Sequence, residues 1–461
     1  MRKTVDLLFK KYDIDCFDYT DYPHKSFWSE SLCGVEYQDA LVETFSNPAH
    51  GNTTLYVHIP FCVQLCFFCI CHKEVTQNFA KVRRHVYDYL LPELDLLLET
   101  FAIHGIRPRI TEVYLGGGSP TILDYPEFEA LLGRIKQFAD VSKLDRFCVE
   151  VDPRNVDDEK LRFYKSCGVT TVSLGVQDFD PLVQKAVNRV QLYDLVCRVM
   201  DVSRELFSSI NFDLLAGLPF QTVGGMRQTI KQVVSLSPDR ISFDYFRYNE
   251  EFYPHLRVLK QENAFPDAVA KRQILAVAAE DFADAGYVRT GFEHFAKPND
   301  AVAKALARGD ATYTSLGAVS GSSPNVIAVG RSGHGMLGDL YLFQNHYDQA
   351  RYGKAIEAGD FPIYRGYCLS DDDVLCRDII RRLRTYFVLD CSTLDFDYYF
   401  RKELQILDYF VGDGLVRFDS DHKLVITEEG IHFTELIAST FDSYTNDGLL
   451  VCLEERSCVK V

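Results

Sequence analysis

Cys62, Cys66 and Cys69 stand in the run YVHIPFCVQLCFFCIC at the spacing C-x3-C-x2-C, with Cys71 two residues further on. Three thiolates on one short loop can hold three irons of a [4Fe–4S] cube and leave the fourth iron open. An open coordination position is what lets a metal act on a ligand. The competing use is a zinc knuckle. Structural zinc usually takes four ligands in two separated pairs, and no second C-x2-C follows here. Cys71 lies too close to Cys69 to complete the same loop comfortably.

The elements that must position this loop are legible as a rhythm. From Leu55, the strings TLYVHIP, ITEVYLGGG, FCVEVDP, TVSLGVQ, INFDLLAGLP and RISFDYF read as strands rich in Val, Ile, Leu and Phe. Amphipathic segments such as VYDYLLPELDLLLETFAIHG and DYPEFEALLGRIKQFADV fall between them and read as helices. Such alternation builds a parallel sheet with right-handed crossovers. In parallel α/β folds the chemistry sits at the C-terminal ends of the strands, where the cysteines and the glycines of GGGSPT fall. After about residue 370 the pattern changes to helix, then helix–strand–turn–strand–helix, which reads as a small winged-helix-type α+β domain.

Composition bounds the partners. At 461 residues the chain can bury a large core, and its net charge of −17 argues against a general phosphate-backbone binder, so no nucleic-acid partner is expected. The N-terminal MRKTVDLLFKKYDID lacks the apolar stretch of a secretory signal, and no uninterrupted apolar run of about 18 residues is present to span a bilayer. Fourteen cysteines without a signal read as reduced thiols, which points to the cytoplasm, and an exposed cluster iron is oxygen-labile, which points to anaerobic life.

YVHIPFC, the cysteine triplet with its C-x-C extension, GGGSPT, VEVDPR, GVQDF and FDLLAGLP occur in an order that resembles the oxygen-independent coproporphyrinogen III oxidase family of radical S-adenosylmethionine (SAM) enzymes. The likeness extends to FDYTDYP, GFEHFAKP and VGDGLVRFD and so covers nearly the whole chain. It implies a partial (β/α) barrel over residues 51–295, preceded by an N-terminal extension (1–50) over the active site. Pocket elements (296–368) and a C-terminal lid domain (369–461) would follow. It also implies a [4Fe–4S] cluster with SAM at its open iron, a second SAM, and reduced flavodoxin or ferredoxin as electron donor.

The resemblance assigns residues one by one. Tyr56 and Phe68 match positions that pack against cluster-bound SAM, though each is also a plausible core aromatic. Gly116, Gly117, Gly118 and Ser119 match the turn that approaches the methionine amine and carboxylate, where side chains would block a backbone contact. A plain tight turn would look the same. Glu150 ends a strand and suits an ammonium or a ribose hydroxyl. Gln177, Arg189 and Asp213 match a second-SAM pocket, with Arg189 for carboxylate and Asp213 for ammonium or ribose; an internal ion pair is the other reading.

Four positions depart from the family pattern. Ala311 in GDATYTSLG stands where the family has glutamine, although Tyr313 and Thr314 remain. In GRSGHG, which replaces a Gly-Val-Ser-Ala-Ile-Ser-like loop, His334 stands for isoleucine, and it reads as a polar loop residue, a ligand contact or a proton acceptor. Phe246 stands for a small residue beside the second SAM, and Asp18 stands for an arginine that a substrate with four propionates would use. Recognition built on polar groups is sensitive to such changes. These departures favour a class C radical SAM methyltransferase, in which the second SAM gives its methyl to an sp2 carbon of a flat aromatic substrate. Menaquinone C-8 is the expected acceptor, reached through peripheral membrane contact, and an aromatic content of 13% could line the slot. The alternative is the oxidase itself, in which hydrogen is taken from a propionate β-carbon and decarboxylation leaves a vinyl group.

Overall fold

The computed structural model describes residues 2–260, 264–314, 316–320, 325–392 and 396–457; residue 1 of the expected N-terminal extension and 458–461 of the expected lid lie outside them. Six strands run parallel in chain order: β1 (Thr53–Ile59), β2 (Ile110–Gly117), β3 (Arg146–Val151), β4 (Thr171–Gln177), β5 (Ser209–Ala216) and β6 (Arg240–Tyr245). Within this run of six, each strand pairs with its neighbours in sequence, so the sheet extends strand by strand as an open barrel wall. Every residue of β1 is buried, as a parallel strand covered on both faces requires.

The sheet does not end with those six. Beyond β6 lie β7 (Val288–Arg289) and β8 (His294–Ala296), both antiparallel, and beyond β1 lie four more strands, for twelve in all. These four are β9 (Asn325–Val329), parallel to β1 in the register Thr53↔Asn325 to Val57↔Val329, then antiparallel β10 (His334–Leu337), β11 (Tyr341–Asn345) and β12 (Ile363–Cys368). Their registration depends on Asn325, which is fully buried. Its amide donates to the His50 carbonyl at 2.6 Å and its side-chain oxygen accepts from Gly338 N at 2.8 Å.

Crossover helices cover the outer face. The segment expected as one helix from Val86 begins with a π-helical turn at Val86–Leu90 and continues as α1 (Leu91–His104), with Pro92 in its first turn. Pro92 has no N–H to give, so the wider turn costs the ladder little there. Leu91, Leu94, Leu97 and Phe101 face the sheet, and Gly105 ends the helix at φ 65°.

The N-terminal fifty residues divide between two cores. The helix Gly34–Ser46 packs on the barrel through Tyr37, Leu41 and Phe45. Phe9, Tyr12, Tyr19 and Tyr22 instead join the C-terminal core with Leu383, Phe410, Leu436 and Phe441. Tyr12 donates to Asp413 at 2.6 Å, and Lys11 pairs with the same carboxylate at 2.6 Å. That C-terminal unit comprises α2 (Asp371–Tyr386), capped by Ser370, the helix Arg401–Gly412 and a small sheet of Val388–Asp390, Val416–Phe418 and Lys423–Ile426. No described helix is long and apolar enough to cross a membrane. No disulfide joins the described cysteines.

Asn325→Ala leaves a buried N–H and a carbonyl without partners and should cost about 2 kcal/mol. The loss should appear as a lower urea midpoint, with faster amide exchange in β9 and β10 before the parallel strands.

Candidate active site

The chain leaves β1 at Ile59 and makes a loop that closes on itself. Phe61 and Cys62 pair in parallel with Glu74 and Val75; Glu74 N donates to Pro60 O at 2.7 Å and Thr76 N to Cys62 O at 2.9 Å. Within the closed loop Cys69 N bonds to Cys66 O at 3.1 Å. The loop also docks on the segment 187–189, through Phe67 N to Val187 O (2.9 Å) and Asn188 Nδ2 to Leu65 O (2.7 Å). Three cysteines are thus held at the C-terminal end of β1.

Two guanidiniums reach one of these thiols. Arg154 Nη2 lies 3.4 Å and Arg189 Nη1 3.3 Å from Cys66 Sγ, and Asp152 lies within 2.7 Å of Arg154 and 3.5 Å of Arg189. Burial, with Cys69 and Cys66 adding to it, pushes Cys62 up to about 12. A hydrogen bond from Cys71 instead draws Cys69 down to about 6, with Lys73 helping against burial. Such thiols release protons as metal binds. Arg154 Nη1 and Arg189 Nε are buried without partners. Among the described residues no three His, Cys, Asp or Glu side chains converge on a single ion. A cluster instead seats each thiolate on its own iron, and a net-negative cluster suits this cationic wall, so the residues present fit it.

The glycines serve the protein's own packing first. A Cβ on Gly118 would meet Phe61 O at 2.6 Å, and one on Gly117, whose φ is 107°, would strike the His58 ring at 2.7 Å. Gly118 N and Ser119 N donate to Ile59 O and Phe61 O, both at 2.8 Å, fixing the back of the cysteine loop. Gly116 abuts Glu150, whose carboxylate accepts from Tyr114 OH at 2.9 Å and from Gly117 N at 3.1 Å. Burial, and then the charge of Asp213, push Glu150 up to about 7.

Tyr56 OH and His58 Nδ1 are 2.9 Å apart, and His58 Nε2 is 3.0 Å from His72 O. His58 was not singled out above, although it sits two residues from Tyr56 on a strand and therefore on the same face. Asp152 and Arg154, inside VEVDPR, were likewise passed over; their signal was an Asp and an Arg flanking a proline at a strand end. Phe68 is buried with Cys66, Val183, Leu218 and Phe246. Phe246 stacks on Phe265 at 6.1 Å and belongs to that apolar cluster.

Gln177 stands at φ 67° where the β4–β5 register breaks. Its side chain and that of Arg189 converge over Gly175, whose carbonyl Arg189 also engages. Gly175 is paired with Asp213 across the strands. Asp213 accepts from Ser173 Oγ at 2.8 Å and Asn211 Nδ2 at 2.6 Å, and burial raises it above the ordinary carboxylate value. Gln177, Arg189 and Asp213 therefore share one wall. Arg189, however, spends one amino group on Cys66.

The four departures have partners of their own. His334 opens strand β10 and lies 2.9 Å from Lys25 Nζ and 3.3 Å from Asp21, and burial lowers its pKa. Burial alone would raise Asp18, but Arg247, Lys25 and Arg384 outweigh it and hold its carboxyl below the usual value. The Ala311 carbonyl accepts from Tyr386 OH at 3.0 Å, and Tyr313 lies under Arg384 at 4.5 Å. Thr314 is buried beside them. Burial raises the Tyr253 pKa, and the charges of Asp18, Cys71 and Cys69 add to it.

A parallel open barrel carrying a three-cysteine loop after its first strand defines a radical SAM enzyme, and the Radical SAM superfamily model matches residues 56–233. The chain uses a [4Fe–4S] cluster and SAM. Oxygen-independent coproporphyrinogen III oxidases resemble it along its length. That of Pseudomonas aeruginosa is 33% identical over 455 residues, covering 96% of each chain, and that of Bradyrhizobium diazoefficiens is 31% identical, covering 93% of this chain and 95% of the relative. The solved coproporphyrinogen III oxidase of Escherichia coli superposes with a TM-score of 0.85 at 30% identity, over 95% of this chain and 98% of that one. The chain belongs to the oxygen-independent coproporphyrinogen III oxidase family.

This overturns the expected ring methyltransferase and its menaquinone substrate. The expectation rested on Asp18, Phe246, Ala311 and His334. In the fold Asp18 sits among three cations, Phe246 packs into an apolar cluster, Ala311 contributes a backbone carbonyl and His334 joins Lys25 and Asp21.

Replacing Cys62, Cys66 or Cys69 by Ala should each abolish the cluster's iron and its visible absorbance, whereas Cys71→Ala should keep both. A Glu150 carboxyl ionising at about 7 must give up its proton to hold a ligand ammonium. Affinity for S-adenosylhomocysteine, measured by calorimetry, should therefore fall as pH drops below about 7, up to tenfold per unit, and Glu150→Gln should flatten that dependence.

Proposed function

We propose that this chain oxidatively decarboxylates coproporphyrinogen III to protoporphyrinogen IX without oxygen. The observation that carries the reading is the end-to-end match, in fold and in ordered motifs, to enzymes named for that activity. When bound, the cluster and SAM supply a 5′-deoxyadenosyl radical that can take hydrogen from a propionate side chain. Cys62, Cys66 and Cys69 would hold the cluster while Arg154 and Arg189 balance its charge. Glu150 and the backbone of the Gly117–Ser119 turn would orient the methionine end of SAM, with Tyr56 and Phe68 beside it. Gln177, Arg189 and Asp213 would hold the second SAM. A low-potential donor such as flavodoxin or ferredoxin is needed, and a cytoplasmic site, where thiols stay reduced, fits the free cysteines.

Electrostatics support an anionic substrate at the mouth. Lys25 and Arg365 lie together on the arm side, Arg365 Nη1 donating to the Lys25 carbonyl at 2.9 Å, and burial lowers the Arg365 pKa, which leaves it receptive to a carboxylate. The C-terminal unit, joined to the arm through Tyr12, Tyr19 and Tyr22, would keep water from a carbon radical.

Reconstituted protein with SAM, a low-potential reductant and coproporphyrinogen III under anaerobic conditions should release carbon dioxide and, after oxidation, give protoporphyrin fluorescence. Methyl-labelled SAM should leave no label in the porphyrin. Cleavage of SAM without any vinyl product from this substrate would refute the reading.

A further inference from the structure

We propose that Arg331 and Glu74 are positioning residues, an ionic clasp built on a buried guanidinium that holds the Cys62 end of the cysteine loop in place. The inference rests on the three-cysteine cluster reading and concerns what makes that loop rigid.

Arg331 follows β9 in the GRSGHG turn, far from the cysteines in sequence. Its side chain is only 5% exposed, and its Nη2 lies 3.2 Å from Glu74 Oε2. Its guanidinium also stands over the Phe61 ring at 5.6 Å, and its Nε has no partner. A guanidinium this deep is stable only while its charge is paired. Glu74 supplies that charge from a position of consequence. Its backbone pairs with Phe61, it donates to Pro60 O at 2.7 Å, and its neighbour Val75 pairs with Cys62. Pulling on the Glu74 side chain therefore pulls on the bridge that closes the loop at Cys62.

The anchor on the other side is fixed. Gly330 N donates to Glu93 Oε2 at 2.7 Å, and Asn345 Nδ2 donates to Glu93 Oε1 at 2.5 Å and to Gly330 O at 3.0 Å. Tyr352 OH adds a third bond to Glu93 at 2.5 Å. Gly330 has a φ of 93°, and any Cβ there would run into the His58 carbonyl oxygen. The turn is thus bolted to helix α1 on one side and pressed on β1 on the other. Glu74 also pairs with Lys81, whose side chain is 45% exposed, so the buried contact is the one with Arg331.

The test compares Arg331→Met, Glu74→Gln, Lys81→Gln and the double variant Arg331→Val/Glu74→Val. Each is reconstituted anaerobically, assayed for iron, and followed by visible absorbance on exposure to an iron chelator. Amide exchange of the apoprotein is read over residues 60–76 and over α1. Each single change at the clasp should shorten the cluster's lifetime at least tenfold and speed exchange in 60–76 alone. Lys81→Gln should stay within threefold of the parent. The apolar pair leaves no unpaired charge and should recover most of the lifetime. A parent-like lifetime in either single variant, loss of protection that spreads to α1, or no recovery in the double variant would overturn the proposal. A parent chain that never takes up four irons would instead sink the cluster reading beneath it.

Discussion

Two guanidiniums on one thiol are the constraint around which the site is arranged. A net-negative cluster in a barrel mouth needs positive charge close by, and Arg154 and Arg189 both deliver it to Cys66. Asp152 keeps that pair from being an uncompensated buried charge. Arg189 arrives on the segment whose backbone docks the cysteine loop, so charge and geometry come from the same few residues. It also stands over Gly175 beside Gln177. One side chain therefore ties the cluster wall to the wall of the neighbouring pocket, and neither can be moved without the other.

Several barrel strands carry buried carboxyls. Glu150, Asp213 and Asp244 stand on β3, β5 and β6, and burial raises each, Asp244 to about 7, with Asp213 adding to it. An interior of carboxyls that resist ionisation is receptive to the ammonium and sulfonium of a SAM molecule, because an arriving cation restores their charge. Beside the N-terminal arm the balance reverses. Lys25, Arg247 and Arg384 hold Asp18 ionised, and Arg365 stacks near Trp28 and Tyr364.

The six parallel strands were legible because each is a dense run of β-branched and aromatic residues separated by amphipathic helices. The cysteine loop was legible because ligand spacing is a local property. Strands β9 to β12 were not, since they are short, contain glycines at Gly335 and Gly366, and find β1 only through a contact separated by most of the chain. The joining of Tyr12 and Tyr19 to the C-terminal core escaped for the same reason: nothing local in a mixed aromatic arm says which core it enters. His58 was recoverable from strand alternation with Tyr56, and Arg154 from its place beside a strand end. Gly117 and Gly118 were found as a turn, but their work against His58 and Phe61 belongs to tertiary packing.

The substrate was misjudged by reading single replacements without their neighbours. Asp18 in place of arginine looks like a lost cation for a tetra-anionic substrate, yet Arg247, Lys25 and Arg384 are close enough to hold its carboxyl below the usual value, so positive residues remain there. Alanine at position 311 looks like a lost amide, but the residue is buried and its backbone is tied to Tyr386. Recognition depends on the field and shape that a pocket's residues make together, and one changed charge can be absorbed by another on a distant segment. A likeness that holds across nearly the full length of both chains constrains all of those segments at once. Four local departures constrain only their own positions, so the full-length likeness is the stronger argument about the substrate.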